Sequence, residues 1–275
     1  MSSNHDLAEA RYGLAVDVDD GSSESIRTLI GHRSCRRFKP DKLAEPLVNL
    51  LLSCAQSAPT KSNLQQYSII VTTNESKRSE IAALVPTMPW IADAPLILVF
   101  LGDVRRIRRL AEMRGHDYRN DNADTFMNAC IDAALAMQAF IVAAESLGLG
   151  TCPISYVRNR IDDLSRILDL PDGVFPIAGL TVGWPAAEGT VSLRLPQDVV
   201  VHRDTYDDSG LEQDIAAYDD RAHGHQPLTP AKQRHTDRYG VLEKCTWSEN
   251  VARQLSVAER DGFADFLERK KINLA

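Results

Sequence analysis

Three short stretches of the chain carry residue types that could do chemistry. The first is GHRSCRRF, residues 31–38, which packs His32, Arg33, Ser34, Arg36 and Arg37 into eight positions. Arginine offers a planar fork of donors matched to phosphate, and a serine hydroxyl adds one more. In an extended segment residues 34 and 36 project to one side and residue 33 to the other, so several donors can meet one large polar ligand. A solvated basic face is the plainer alternative. The second stretch, APTKSNLQQY, sets Thr60, Ser62 and Asn63 directly before an apolar run; on its own it also reads as a turn made of turn-forming residues. The third, GLGTCPISYVRN, puts Ile154 and Ser155 just beyond a long apolar helix, where main-chain amides can face a ligand or simply form a connection.

Other chemistries lack their signatures. No G-x-S-x-G, G-x-x-x-x-G-K-[ST], H-E-x-x-H or post-strand G-x-G-x-x-G occurs. Five scattered cysteines without a C-x-x-C pair speak against a disulfide framework and a zinc site, and suit a reducing cytoplasm. The histidines show no metal-ligand spacing, and the HGH at 223–225 reads as incidental. A net charge of -7 argues against a nucleic-acid or membrane-surface partner, both of which need a basic face. The N-terminal stretch lacks a basic region followed by an apolar one, so no signal peptide is expected.

The elements that must position these stretches follow from periodicity. YSIIVTT, PLILVFLGD, CPIS and IAGLTVGWP read as strands. SESIRTLI, EPLVNLLLSCAQS, ESKRSEIAALV and RNRIDDLSRILDLP read as helices, the last stopped by Pro171. The segment 126–149 is apolar nearly all round and belongs in a core or between subunits; Asn128, Asp132, Gln138 and Glu145 within it argue against a membrane span. Residues 1–24 read as a polar, flexible arm and 219–241 as a mobile surface segment, while 248–270 return to an amphipathic helical pattern. The fold class expected is α+β, or mixed α/β, with one domain over 25–275 that includes an extension from 187 to the end.

Read together, these blocks resemble the FMN-dependent nitroreductases, in particular the oxygen-insensitive NADPH nitroreductases and NADPH–flavin oxidoreductases. The resemblance runs from about Ile26 to the C-terminus through GHRSCRRF, the SNLQ loop before an SII strand, AAESLGLG, a later RN, a strand ending in GWP, then RLP, VVH and TWSE. It implies a central, mainly antiparallel sheet flanked by helices, and a homodimer with tightly bound FMN at the subunit interface. His32, Arg33, Ser34 and Arg194 would then hold the ribityl phosphate, and Arg36 the N1–O2 edge of the flavin. Thr60, Ser62 and Asn63 would surround the ring and ribityl chain, and the Ile154–Ser155 backbone would reach N5. Arg221 and Arg234 are the candidates for the 2′-phosphate of NADPH.

The implied reaction passes hydride from NADPH to flavin N5 and on to a nitroaromatic, quinone or flavin acceptor by a ping-pong route. The catalytic group is the flavin, with no side-chain acid required. The alternative is an FMN-binding sensory protein without turnover. Three departures from the family pattern bear on this. Ser192 stands where a lysine is usual, Ser155-Tyr156 replaces a Gly-Gly pair, and a glutamine near Met88 is missing.

Overall fold

The computed structural model describes residues 3–19, 21 and 23–275. Helix α1 (Asn4–Tyr12) opens on a reciprocal cap, with Ser3 Oγ accepting from the Asp6 N–H and the Asp6 carboxylate accepting from the Ser3 N–H. It ends at Gly13, whose φ of 67° is the left-handed turn that glycine adopts without penalty. The leader expected to be a flexible arm is therefore helical over these residues. Its cap uses Asp where the usual signature has Glu or Gln, which hides it from a pattern search. Residues 1, 2, 20 and 22 of the expected arm lie outside the described residues.

The chain continues through α2 (Glu24–Ile30), capped by Ser23, α3 (Glu45–Gln56), β1 (Tyr67–Thr72) and α4 (Glu75–Ala83), capped by Asn74. Then come β2 (Leu96–Asp103), α5 (Arg105–Arg114), α6 (Ala123–Ser146), β3 (Gly150–Ile154), α7 (Ile161–Ile167) and β4 (Val174–Gly183). The last third is helical: α8 (Gln197–Val200), α9 (Leu211–His225), α10 (Thr236–Tyr239), α11 (Trp247–Leu255) and α12 (Phe263–Arg269). Contacts group the chain into two compact units, Met1–His32 with Val191–Glu259, and Arg33–Thr190 with Arg260–Ala275.

The second unit holds one antiparallel sheet in the order β1-β2-β4-β3. Strand β2 is buried along its whole length, and its alternation feeds two cores. Ile97, Val99 and Leu101 join the cluster with Ile81, Leu84, Val157 and Leu164, while Leu96, Leu98 and Phe100 join Leu51, Ala133, Ala136 and Phe140. Each such side chain contributes roughly 1.5–3 kcal/mol on burial, which is why a β-branched and leucine-rich run forms the centre. Helices therefore cover both faces, as expected for the α+β class. Helix α6 is long and apolar enough to cross a membrane by length and composition. Its Ala133, Ala136 and Phe140 are fully buried with the sheet and α3, and its Ala129 in the cluster of Phe175 and Phe266, so this face of the helix belongs to the core.

In the first unit, the segment expected to be mobile begins inside α9. Tyr218 and Asp219 of that helix are buried. The Tyr218 ring meets Trp247 edge-on at 5.1 Å, and the Asp219 carboxylate accepts from the Ser248 N–H at 2.9 Å and from its hydroxyl. These partners lie about thirty residues away in sequence, beyond the reach of local composition. The single helical pattern over 248–270 is broken by a turn into α11 and α12.

Candidate functional site

The basic stretch forms an extended strip along the β3 edge of the sheet. Ser34 bridges Thr151 in parallel, Phe38 bridges Pro185, and the Cys35 N–H donates to the Thr151 carbonyl at 2.7 Å. Gly150 permits this approach, because a Cβ there would lie 2.5 Å from the Cys35 Cβ. The alternation of an extended segment follows. Ser34 and Arg36 both act on the Cys152 thiol, opposing the burial that pushes it up. Arg33 turns elsewhere, to Glu188 at 2.9 Å, with its stem beside Gly189. Burial also raises the Cys35 thiol and carries Cys130 up to about 11, so these three cysteines stay protonated near neutral pH.

Ile154 ends β3 and Ser155 follows it, so the strip and this loop share one edge of the sheet. Thr151 Oγ1 donates to Glu145 of α6 at 2.7 Å, and Arg158 donates to the Ile177 carbonyl, fixing the strand and the turn beyond it. Tyr156 packs, half-buried, on the core cluster that also receives Met88 and Trp90.

The loop carrying Thr60, Ser62 and Asn63 is held in an uncommon shape. Ser62, Asn63 and Gln65 have φ of 50°, 56° and 52°, and none is glycine. Non-glycine residues adopt this region at a cost of about 1–3 kcal/mol each, so the surroundings must enforce it. Asp132, fully buried on α6, accepts from the Lys61 N–H at 3.1 Å and the Gln66 N–H at 2.9 Å, clamping both ends of the loop. Arg106 adds a bond to the Gln65 carbonyl at 2.7 Å. Antiparallel pairing runs the end of β3 toward the end of the sheet where β1 starts, on the opposite edge, with Ile154 level with Ile70 across Gly179 and Val99. Three strand spacings across the sheet, ~14 Å, and three residues along it, ~10 Å, separate Ile154 from Tyr67.

His32 and Arg194 belong to the first unit. Arg194 is exposed and donates to Ser192 Oγ at 2.7 Å. Its charge and that of Arg221 both bear on the Tyr218 phenol, which burial pushes up. The Nε of Arg221 is buried without a hydrogen-bond partner. Arg234 is exposed, its N–H on Asn250 Oδ1 at 2.7 Å. Beside Arg194 lies an apolar cavity of about 450 Å³ lined by Tyr12, Leu193, Val200, Tyr218 and Trp247. Sequence reasoning missed Asp132, Glu145, Arg106 and Arg11. Asp132, Arg106 and Arg11 work through partners distant in the chain, and Glu145 through Thr151 six positions on; the two acids stood out in the sequence only as charges within an apolar helix.

Comparison with known proteins places these features in context. The family model described as Nitroreductase family matches residues 29–184, and that described as Nitroreductase family, C-terminal domain, matches 192–275. The chain is 32% identical over 255 residues to FMN reductase (NADPH) of Bacillus subtilis, covering 91% of this chain and 99% of that protein. It is 30% identical over 248 residues to the oxygen-insensitive NADPH nitroreductase of Salmonella typhimurium, covering 90% and 98%. The solved structure of NfrA2 from B. megaterium superposes with a TM-score of 0.84 at 30% identity, covering 92% of this chain and all of that one.

Proposed function

The chain belongs to the nitroreductase family, and from that premise we propose how it works as an FMN-dependent oxidoreductase that uses NADPH. The observation that supports the site most strongly is the pairing of the strip 34–36 with β3 beside Ser155. It sets hydroxyl and guanidinium donors next to a loop end at one edge of the sheet.

These residues fit a phosphate-bearing flavin. The donors are cationic or neutral, and Arg33 is held by a solvent-exposed carboxylate, a contact worth about 0–1 kcal/mol, and by a longer bond to the Gly189 carbonyl at 3.4 Å. The loop is pinned by Asp132 and Arg106, with Lys61–Gln65 exposed and Thr60 half-buried, which leaves Ser62 and Asn63 open to a ligand. His32, Arg33, Ser34 and Arg194 would hold the phosphate, Arg36 the N1–O2 edge, and Thr60, Ser62 and Asn63 the ring and ribityl chain. The backbone at Ile154 and Ser155 would orient N5, while Arg221 and Arg234 would meet the 2′-phosphate of NADPH. When bound, FMN would supply the redox chemistry, a hydride relay from NADPH to a nitroaromatic, quinone or flavin acceptor by a ping-pong route. Arg36 would then stabilise negative charge at the N1–O2 edge, and no side chain need move a proton because water can supply it.

Two copies complete the reading. Met127, Ile131 and Leu135 form an exposed apolar stripe on α6, with Leu50 of the adjoining α3 exposed as well. A second copy covering that stripe makes a homodimer, and it brings further loops to sites that one copy leaves at opposite edges of its sheet. We place the protein in the cytoplasm, where its five free thiols stay reduced.

Anaerobic addition of NADPH to the FMN-loaded protein should bleach the flavin absorbance rapidly, and initial rates with a nitro compound should give parallel double-reciprocal lines. Flavin that binds but never bleaches would establish the sensory alternative; absence of flavin binding would end both. A finer expectation concerns Glu188. Glu188→Gln frees Arg33 for phosphate and should tighten FMN binding about two- to fivefold, read by flavin fluorescence at moderate ionic strength. Weaker binding would mean that Glu188 orients Arg33 rather than competing for it.

A further inference from the structure

We propose that Arg11, on α1, is a positioning residue that fixes two phosphate-binding segments to one another. The inference rests on the reading that His32 and Arg194 hold the FMN phosphate. Arg11 is 7% exposed, and its guanidinium bonds to three carbonyls. Nη2 donates to Ile30 O at 2.7 Å and His32 O at 2.5 Å, Nε to Ile30 O at 3.2 Å, and Nη1 to Ser192 O at 2.8 Å. The Arg194 N–H returns a bond to the Arg11 carbonyl at 2.9 Å. One buried fork thus joins the end of α2 to the run Ser192–Arg194, some 160 positions further along the chain.

The direction of these bonds matters as much as their number. In a trans peptide the C=O and N–H point opposite ways, so holding the His32 and Ser192 carbonyls also sets the aim of the amides that follow them. The turn after α1 reinforces the seat, because Gly13 lies directly on Leu193, with a Cβ placed there 3.1 Å from the leucine side chain. Helix α1 precedes residue 29, where the family match begins. The clamp therefore reaches the run Ser192–Arg194 from a helix that lies outside the matched residues. Only a forked, planar donor can serve carbonyls in three places at once, and lysine offers a point charge instead.

The test is a titration of the flavin-stripped full chain with FMN and with riboflavin, for the parent, Arg11→Met and Arg11→Lys. Loss of positioning should weaken FMN about tenfold in Arg11→Met, the factor for one charge-assisted hydrogen bond, and leave riboflavin within about twofold. Arg11→Lys should recover part of the FMN preference. A parent-like ratio of FMN to riboflavin affinity in Arg11→Met overturns the proposal, and so does an equal loss for both flavins, which marks a merely structural role. Should Arg11→Met fail to fold by circular dichroism, Arg11→Lys decides by the same ratio. A fall of about threefold is then expected, and an unchanged ratio is fatal. A parent that binds both flavins alike overturns the phosphate reading itself, and the clamp with it.

Discussion

Asp132→Ala should lower the melting temperature by roughly 6–12 °C and abolish FMN retention on dialysis. The carboxylate is fully buried and holds two main-chain amides, at Lys61 and Gln66, that bracket the loop 60–66. A hydrogen bond to a charged acceptor contributes about 1.5–3 kcal/mol, so losing both leaves a deficit of about 3 kcal/mol or more. At about 2–4 °C per kcal/mol for a chain of this size, the melting shift follows. The loss of flavin has a different origin. Ser62, Asn63 and Gln65 sit at positive φ only because the ends of the loop are pinned. Released, they return to ordinary backbone regions and the surface offered to the ring disappears. Asp132→Asn should be almost as damaging, since its amide sets a donor against one of the two N–H groups. An Asn variant that melts and binds like the parent would show that a single acceptor suffices and that the loop is held elsewhere.

How much of this was legible beforehand depends on the range over which each feature is determined. PLILVFLGD reads as a strand because its apolar run carries that information locally, and the structure places it inside the sheet, buried on both faces. The opposed aims of Arg33 and Ser34 follow from the period of an extended chain, and the strip shows that alternation in its contacts with Glu188 and Cys152. The leader was misread because its cap uses Asp6 and its buried stripe is Asn4, Ala8 and Arg11, two polar residues and one small one rather than an apolar face. Helix α9 was misread because Tyr218 and Asp219 look solvated until Trp247 and Ser248 are brought to them. Asp132 was noticed as an oddity in an apolar helix, but its partners are backbone amides, and no residue identity at 61 or 66 announces them. The clamps on a site are thus less visible than the site, since a carbonyl or an amide can be offered by any residue.

Gly150→Ala tests the opposite edge of the sheet, and here the expected loss comes from crowding. A Cβ at this position would stand 2.5 Å from the Cys35 Cβ, 2.6 Å from its sulfur and 3.2 Å from Pro185 Cγ. Overpacking of this kind costs about 1–3 kcal/mol, or roughly 2–12 °C in the melt. The strip can relieve it only by moving off β3. That movement breaks the Cys35 N–H bond to Thr151 O and carries Ser34 and Arg36 away from Cys152. FMN affinity should fall about tenfold or more, because the donors of the strip no longer meet the ligand together. The cause can be isolated by removing the obstacle. In Gly150→Ala combined with Cys35→Gly the two Cβ atoms no longer collide, so most of the affinity should return, with a coupling of about 1 kcal/mol or more in the double-mutant cycle. Cys35→Gly alone should leave the affinity near the parent's, since the thiol is buried, protonated and turned to the Arg37 carbonyl. A double variant as weak as Gly150→Ala would place the fault in β3 itself, and a single variant with full affinity would mean that FMN does not depend on the strip lying against that strand.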